Sequence, residues 1–306
     1  MHVADIIAFA GNPLDRACDA RTLPEWVDAR VSDPLSVFLP LYRGDPLLRD
    51  GAAVFLAASA RSEFPSSAPI VFLGLKGNVP HFAVDLSAAA SPGDAPFAEF
   101  GAYTPLREAA FSLKEGDLAI IGQARWLLDW HRRHRHCAVC GSMTEIKDGG
   151  AKRHCPECGA EHFPRSDPVA IVLAVHDGAC LLGRGPHFPS GFLSALAGFV
   201  EACETPEECA VRELREEAGV ALTAVRYQFS QPWPFPSSLM MGFIADAKDR
   251  ALSLDTKEIV EARWVESAEI RSLLAGETRD DIRLPPRFTI ARRLIERWIS
   301  LEQSPR

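Results

Sequence analysis

Glu213, Glu216 and Glu217 stand at i, i+3 and i+4 within Gly198–Val220, GFVEACETPEECAVRELREEAGV. On an α-helix that spacing brings three carboxylates to one face. The flanks predict such a helix, with Thr205 as N-cap, Pro206 in the first turn, Glu208 completing a capping box and Gly219 ending it. Three clustered negative charges cost stability unless a cation sits among them. Hard carboxylate oxygens select Mg²⁺ or Mn²⁺, and those ions favour phosphate substrates. The same spacing also suits a solvated acidic face whose repulsion Arg212 and Arg215 moderate. The helix by itself leaves both readings open.

Sulfur forms a second constellation. Of eight cysteines, Cys18, Cys180, Cys203 and Cys209 are scattered and read as reduced, small apolar residues. The other four make two C-x2-C pairs, Cys137/Cys140 and Cys155/Cys158, with fourteen residues between the pairs and a glycine (Gly141, Gly159) after each. Four thiolates so arranged suit a closed tetrahedral Zn²⁺ site, which has no room for substrate and therefore a folding role. Free or disulfide-bonded cysteines are the alternative, and His136 and His154 adjoin as ligands the site does not need. Such a ribbon can also bind nucleic acid or join two subunits, and spacing does not separate these roles.

A third segment, Ser230–Ser238, reads SQPWPFPSS. Its three prolines predict an extended rigid loop that presents Trp233 and Phe235 at set angles, an arrangement suited to a flat heterocycle. A packed proline-rich connector is the other reading.

Gly198, five residues, Glu204, seven residues and then the run Arg212–Val220 together resemble the complete Nudix box, with every defined position filled. SQPWPFPSS resembles the signature of the NADH pyrophosphatase branch of that family. Members of that branch carry a four-cysteine ribbon ahead of the Nudix domain, and Phe163–Pro168 resembles their linker. The resemblance runs from about Leu106 to the C-terminal helix and is weak before residue 100. It implies a loop–helix–loop in which Glu213, Glu217, Glu258 and the Ala197 carbonyl hold Mg²⁺ or Mn²⁺ beside a diphosphate. Glu216 would ligate a second metal or orient water, Arg212 would orient the neighbouring carboxylates, and Glu204 would brace the loop. Gln231, Pro232, Trp233, Pro234, Phe235, Pro236, Ser237 and Ser238 would line a dinucleotide site. Phe199 and Phe163 would supply aromatic rings, Phe163 reaching the partner subunit, and Ala291 and Arg107 would contact substrate.

The activity so implied is hydrolysis of NAD(H) to AMP and nicotinamide mononucleotide by a homodimer, or removal of NAD caps from RNA with the same metal site. Two alternatives stand beside it. One is a broader hydrolase of ADP-ribose or FAD, and the other a non-catalytic zinc-ribbon module that binds nucleic acid or a protein partner. Three departures bear on substrate preference. Phe163 stands where relatives often carry Tyr, the turn Lys147–Gly150 lacks a glutamate that some relatives place there, and Glu269–Arg283 is extended.

These groups need a scaffold, and 306 residues, 47% of them apolar, are enough to build one of two or three units without disulfides. A net charge of −8 argues against bulk nucleic-acid binding through a basic surface. Arg125–His136, RWLLDWHRRHRH, is the local exception. It reads as a helix with a basic polar face and with Trp126, Leu127 and Trp130 turned inward, a phosphate or RNA contact being the other reading. No apolar run is long enough to span a bilayer, and the opening MHVADIIAFAGNPLDRACDA lacks a basic n-region. Both features predict a cytoplasmic protein with no membrane partner. Strands are expected at Ala52–Ala58, Ile70–Leu75, His81–Leu86, Val169–Val175, Cys180–Gly183, Ala224–Phe229 and Leu239–Ala245, and helices at Leu106–Leu128 (interrupted near Glu115) and Phe288–Leu301. The expected class is α+β: a mixed N-terminal domain over residues 1–130, the zinc ribbon over 131–165 and a Nudix α/β/α sandwich over 166–306.

Overall fold

The computed structural model describes residues 7–302. The outer ends of the first and third expected domains, and part of the segment read for a secretory signal, lie outside them. The chain divides into two compact bodies. One comprises Met1–Ser166 with Trp233–Ser237, the other Asp167–Pro232 with Ser238–Arg306. Among the described residues no helix is long and apolar enough to cross a membrane.

The first body opens with α1 (Pro24–Val31), β1 (Val37–Tyr42), β2 (Asp45–Arg49), β3 (Ala52–Ala53), β4 (Leu56–Ala57), β5 (Ile70–Lys76), β6 (Val79–Asp85) and β7 (Ala102–Tyr103). Strand β1 pairs antiparallel with β2 and β4 and parallel with β6, and β6 pairs antiparallel with β5. Because β1 and β6 are central, Phe38, Leu39, Leu41, Phe82, Ala83 and Val84 are essentially inaccessible. Alternation fails as a signal in such strands because both faces are covered, and this hid β1 from the sequence reading. The strand expected over Ala52–Ala58 is instead split into β3 and β4, which pair with different partners. Helix α2 (Leu106–Ala109) is followed by α3 (Glu115–Arg133), so the interruption expected near Glu115 lies just before it. On α3, Trp130 is buried, whereas Trp126 and Leu127 are only half-buried, against expectation. The Trp126 indole explains its position by donating to the Arg165 carbonyl.

The ribbon, with β8 (Glu145–Lys147), β9 (Lys152–His154) and β10 (Glu161–His162), packs within this body. Its turn holds Gly149 and Gly150 at φ of 63° and 103°, and a Cβ on Gly150 would lie 2.7 Å from Val71 of β5. Only a residue without a side chain permits that approach. Below the turn, the buried His131 donates from Nε2 to the Gly150 carbonyl (2.9 Å) and accepts from Arg153 at Nδ1 (3.2 Å), while Arg153 donates to Thr144. His131 is therefore an uncharged link in a buried chain, not part of a basic face, and burial lowers its pKa to about 4.

The second body contains β11 (Asp167–His176), β12 (Ala179–Arg184), β13 (Leu196–Phe199), α4 (Pro206–Ala218), β14 (Leu222–Trp233, whose last residue belongs to the first body), β15 (Ser238–Ala247), β16 (Glu261–Glu266), α5 (Ser267–Leu274) and α6 (Ile290–Glu302). The strand order is β14-β15-β11-β12-β16, with β13 antiparallel to β11 and β15 parallel to it. One face of the sheet packs Cys209, Ala210, Leu214 and Ala218 of α4, and the other packs Ile290, Leu294, Ile295 and Trp298 of α6 with Ile270 of α5. This is the α/β/α sandwich expected, and the α+β class is borne out. β11 explains the uninterrupted VAIVLAV run, since it is covered on both faces.

Candidate active site

Helix α4 starts and stops as its sequence dictates. The Thr205 hydroxyl accepts from the Glu208 amide, the Glu208 carboxylate accepts from the Thr205 amide, and Gly219 ends the helix at φ 70°. The buried stripe of α4 fixes its rotation, and with it the direction of the carboxylates. Glu213 and Glu217 are buried, whereas the Glu216 side chain is 56% exposed and bound to Arg212. The three glutamates thus divide into an inner pair and one rim residue.

Arg212 organises the loop before the helix. Its Nε and Nη2 grip both oxygens of Glu204 (2.7 and 2.9 Å), Nη1 donates to Glu213 (2.7 Å) and Glu216 (3.1 Å), and Nη2 also reaches the Phe199 carbonyl (3.0 Å). Glu204 also accepts from the Glu201 amide, and Arg212 beside it holds its carboxyl down to about 2. A two-pronged guanidinium–carboxylate contact of this kind fixes orientation as well as charge. Cys209, read from sequence as a small apolar residue, is buried beneath this network, its thiol donating to the Gly198 carbonyl. Gly198 allows the closest approach at the site, because a Cβ there would fall 1.8 Å from Glu213 Cδ. Any side chain at 198 would displace that carboxylate, a constraint that spacing alone did not reveal.

Glu217 is the unbalanced group. Among the described residues its Oε2 is buried without a hydrogen-bond partner, and burial, reinforced by the charges of Glu213 and Glu258, pushes its pKa up to about 8. A buried carboxylate facing two others is costly unless a cation joins them. Ala197 lies in β13 opposite Ile171, one residue before Gly198, and Glu258 sits in the turn closed by its amide on Asp255. Carboxylates with a main-chain carbonyl are the donor chemistry of a hard divalent ion, but among the described residues only the four cysteines bring three or more side-chain ligand atoms within 4.8 Å of one another.

The cysteines meet as their spacing predicts. Cys137 and Cys158 sulfurs are 3.6 Å apart, Cys140 and Cys155 3.5 Å, and all four ligand atoms fall within 4.8 Å of one another. Sulfurs on a tetrahedral Zn²⁺ require close to this spacing. Hydrogen bonding, chiefly from the Cys140 amide, lowers the Cys137 thiol to about 5. Cys158 is pushed up to about 12 despite the Ala160 amide, by the sulfurs of Cys140, Cys155 and Cys137 and by desolvation. A fourth thiolate needs a cation beside it.

Of the residues expected at substrate, Gln231 is fully buried and its amide is engaged at both ends, donating to the Phe288 carbonyl and accepting from the Ile290 amide, both at 2.7 Å. Its side chain holds the start of α6, where Ala291 sits in a first turn whose amides lack i−4 carbonyls. Phe199 and Phe163 are exposed rings, 61% and 63% accessible. SQPWPFPSS is less of a loop than expected. Pro232 and Trp233 continue β14, Ser238 opens β15, and only Pro234–Ser237 turns, with a cis bond at Phe235–Pro236. Pairing with β15 draws Pro232 into the sheet margin. In the first body, Phe9 packs edge-on against Trp233 and Phe235, and Arg107 lies 4.2 Å from the Phe235 ring centroid and 5.3 Å from that of Trp233. Arg125, which the sequence assigned to a basic face, donates to the Pro234 and Gly44 carbonyls and to Asp45.

Comparison with known proteins agrees with this arrangement. Residues 164–288 match the model of the NUDIX domain, residues 35–130 that of the NADH pyrophosphatase-like rudimentary NUDIX domain, and residues 132–163 that of the NADH pyrophosphatase zinc ribbon domain. The NAD-capped RNA hydrolase NUDT12 of Homo sapiens is 34% identical over 96% of this chain and 73% of its own length. The NAD-capped RNA hydrolase NudC of Chromobacterium violaceum is 38% identical over 73% and 78%, and that of Mycobacterium bovis 43% identical over 60% and 61%. With the box geometry, the four-sulfur cluster and these matches in agreement, the chain belongs to the Nudix hydrolase family, in the branch that joins a rudimentary Nudix domain and a zinc ribbon to the catalytic one.

Proposed function

We propose that this Nudix hydrolase cleaves the diphosphate bond of NAD(H), giving AMP and nicotinamide mononucleotide, and also removes NAD caps from RNA 5′ ends. The observation that carries the reading is the buried, unpartnered Glu217 oxygen facing Glu213 and Glu258. The choice of substrate is supported by the activities named for the relatives and by the SQPWPFPSS segment.

Glu213, Glu217, Glu258 and the Ala197 carbonyl would hold Mg²⁺ or Mn²⁺. When bound, the divalent ion supplies Lewis acidity at the phosphoryl group. Arg212 fixes the Glu213 carboxylate and holds Glu204 on the loop, so these groups need no reorganisation as charge builds on phosphoryl oxygen. Glu216, on the rim, would orient water or take a second metal. In the first turn of α6 the Ala291 amide would contact the substrate, while Gln231 holds that turn through the Ile290 amide and the Phe288 carbonyl. By resemblance, Phe163, Phe199, Trp233 and Phe235 would supply rings for stacking, Arg107 a cation, and Pro232–Ser238 further substrate contacts. Zn²⁺ on the four cysteines is structural. A homodimer in the cytoplasm completes the reading.

Product analysis with NADH and Mn²⁺, beside Glu217→Gln, tests the proposal. AMP with reduced nicotinamide mononucleotide, lost in the variant, is the expected outcome. Cleavage of ADP-ribose or FAD in preference to NADH would overturn the substrate assignment and leave the metal chemistry standing.

A further inference from the structure

The loop between β12 and β13 carries an aromatic pair that the reaction above does not use. Phe188 stacks on Phe192 with centroids 5.0 Å apart and planes at 17°, and Phe188 is 52% exposed. An exposed ring is usually mobile, but this one is held. Pro186 and Pro189 flank it, its amide donates to the Gly185 carbonyl (3.2 Å), and its carbonyl accepts from Arg184 Nη1 (3.1 Å). A strap from the segment before α6 fixes the far side. Phe192 pairs with Arg283, whose amide donates to Gly191 and whose carbonyl accepts from Leu193. The Arg283 side chain reaches the Ser190 carbonyl (2.7 Å), is exposed and, among the described residues, has no carboxylate partner. The exposed imidazole of His187 lies in the same loop.

The loop also adjoins the main chain that carries Glu258. A Cβ on Gly185 would lie 3.4 Å from the Glu258 carbonyl oxygen and 3.9 Å from the Phe188 ring, and the Val260 amide donates to the Arg184 carbonyl. A preorganised ring with an exposed guanidinium that has no carboxylate partner among the described residues, and an exposed imidazole beside it, suits one nucleotide, its base stacking and its phosphate paired. We propose that Phe188, backed by Phe192 and flanked by Arg283 and His187, is the subsite for the RNA nucleotide that follows the cap. The subsite rests on the NAD-cap reading above. It separates RNA-linked from free substrate, because NADH has no nucleotide beyond its own two to place there.

The test compares kcat/KM of Phe188→Ala on NADH and on a short RNA with a 5′ NAD end, with Phe188→Trp as the conservative variant. Binding of a fluorescein-labelled five-nucleotide RNA is measured in parallel. NADH turnover within about two-fold of wild type, a loss of about ten-fold on the capped RNA, weaker RNA binding, and recovery of both by Trp are expected. Equal losses on the two substrates, no change on either, or conversion of a dimer to monomers would overturn the subsite while leaving NADH hydrolysis standing. A wild-type protein inactive on both substrates would instead refute the proposed function, and unchanged RNA binding in Phe188→Ala would then refute the subsite separately.

Discussion

The two sheets of this protein are wired alike, and only one of them is built for chemistry. In the second body β11 pairs antiparallel with β12 and β13 and parallel with β15, which neighbours β14. In the first, β1 pairs antiparallel with β2 and β4 and parallel with β6, which neighbours β5. What differs is the link that follows β13 or β4. After β13 come the Glu204 loop and the thirteen residues of α4. After β4 comes a six-residue 3-10 turn, Ala58–Glu63, with a single carboxylate. The term rudimentary that describes the model matching residues 35–130 thus has a physical content: the sheet is kept and the carboxylate helix is gone. A shared topology carries no activity without the group that holds the metal.

Four perturbations sharpen this contrast. The largest effect should fall on the first body, which leans on zinc where the second has helices on both faces. Chelation of zinc, or Cys155→Ser, should lower the melting temperature by about 10 °C or more and leave a second transition from the sandwich, read by calorimetry. Next, Glu217→Gln should cut kcat on the order of 10³-fold, whereas Glu63→Gln, in the corresponding link of the first body, should stay within about two-fold. A comparable loss from Glu63→Gln would break the contrast.

Gly198→Ala should cost about 100-fold in kcat/KM with little change in melting temperature, because the new methyl group displaces the Glu213 carboxylate while the fold is retained. The smallest effect is one of pH. His131 has a folded pKa of about 4, below its ordinary value near 6.5, so the unfolded chain binds the extra proton between those values. Stability should therefore be flat above about pH 7 and fall as pH drops toward 4, with about 2 kcal/mol lost by pH 5. In His131→Gln, compared at the same zinc concentration by denaturant titration, this slope should flatten.

Sequence disclosed most where local chemistry decides. Thr205, Glu208 and Gly219 bounded α4 correctly because caps are made by residues a few positions apart. The cysteine pairs found each other because a ribbon turn needs little beyond its glycines. Central strands such as β1, hidden by burial on both faces, left no alternating pattern to detect. The roles of Arg125 and Gln231 were also out of reach, since their partners lie 109 and 57–59 positions away and polar side chains carry no mark of a distant carbonyl. The split of the three glutamates into a buried pair and a rim residue follows from the rotation of α4 on the sheet, which spacing leaves undetermined.

One consequence concerns inheritance. Trp233–Ser237 belongs to the first body although the chain on either side of it belongs to the second. Phe9 rests on two of its rings and Arg125 Nε on its Pro234 carbonyl. A gene fragment ending at Ser166 would therefore encode a first body lacking a piece of its own packing. Shuffling this unit intact into another protein would take three cuts in the coding sequence instead of one, which ties the two bodies together as a single hereditary unit.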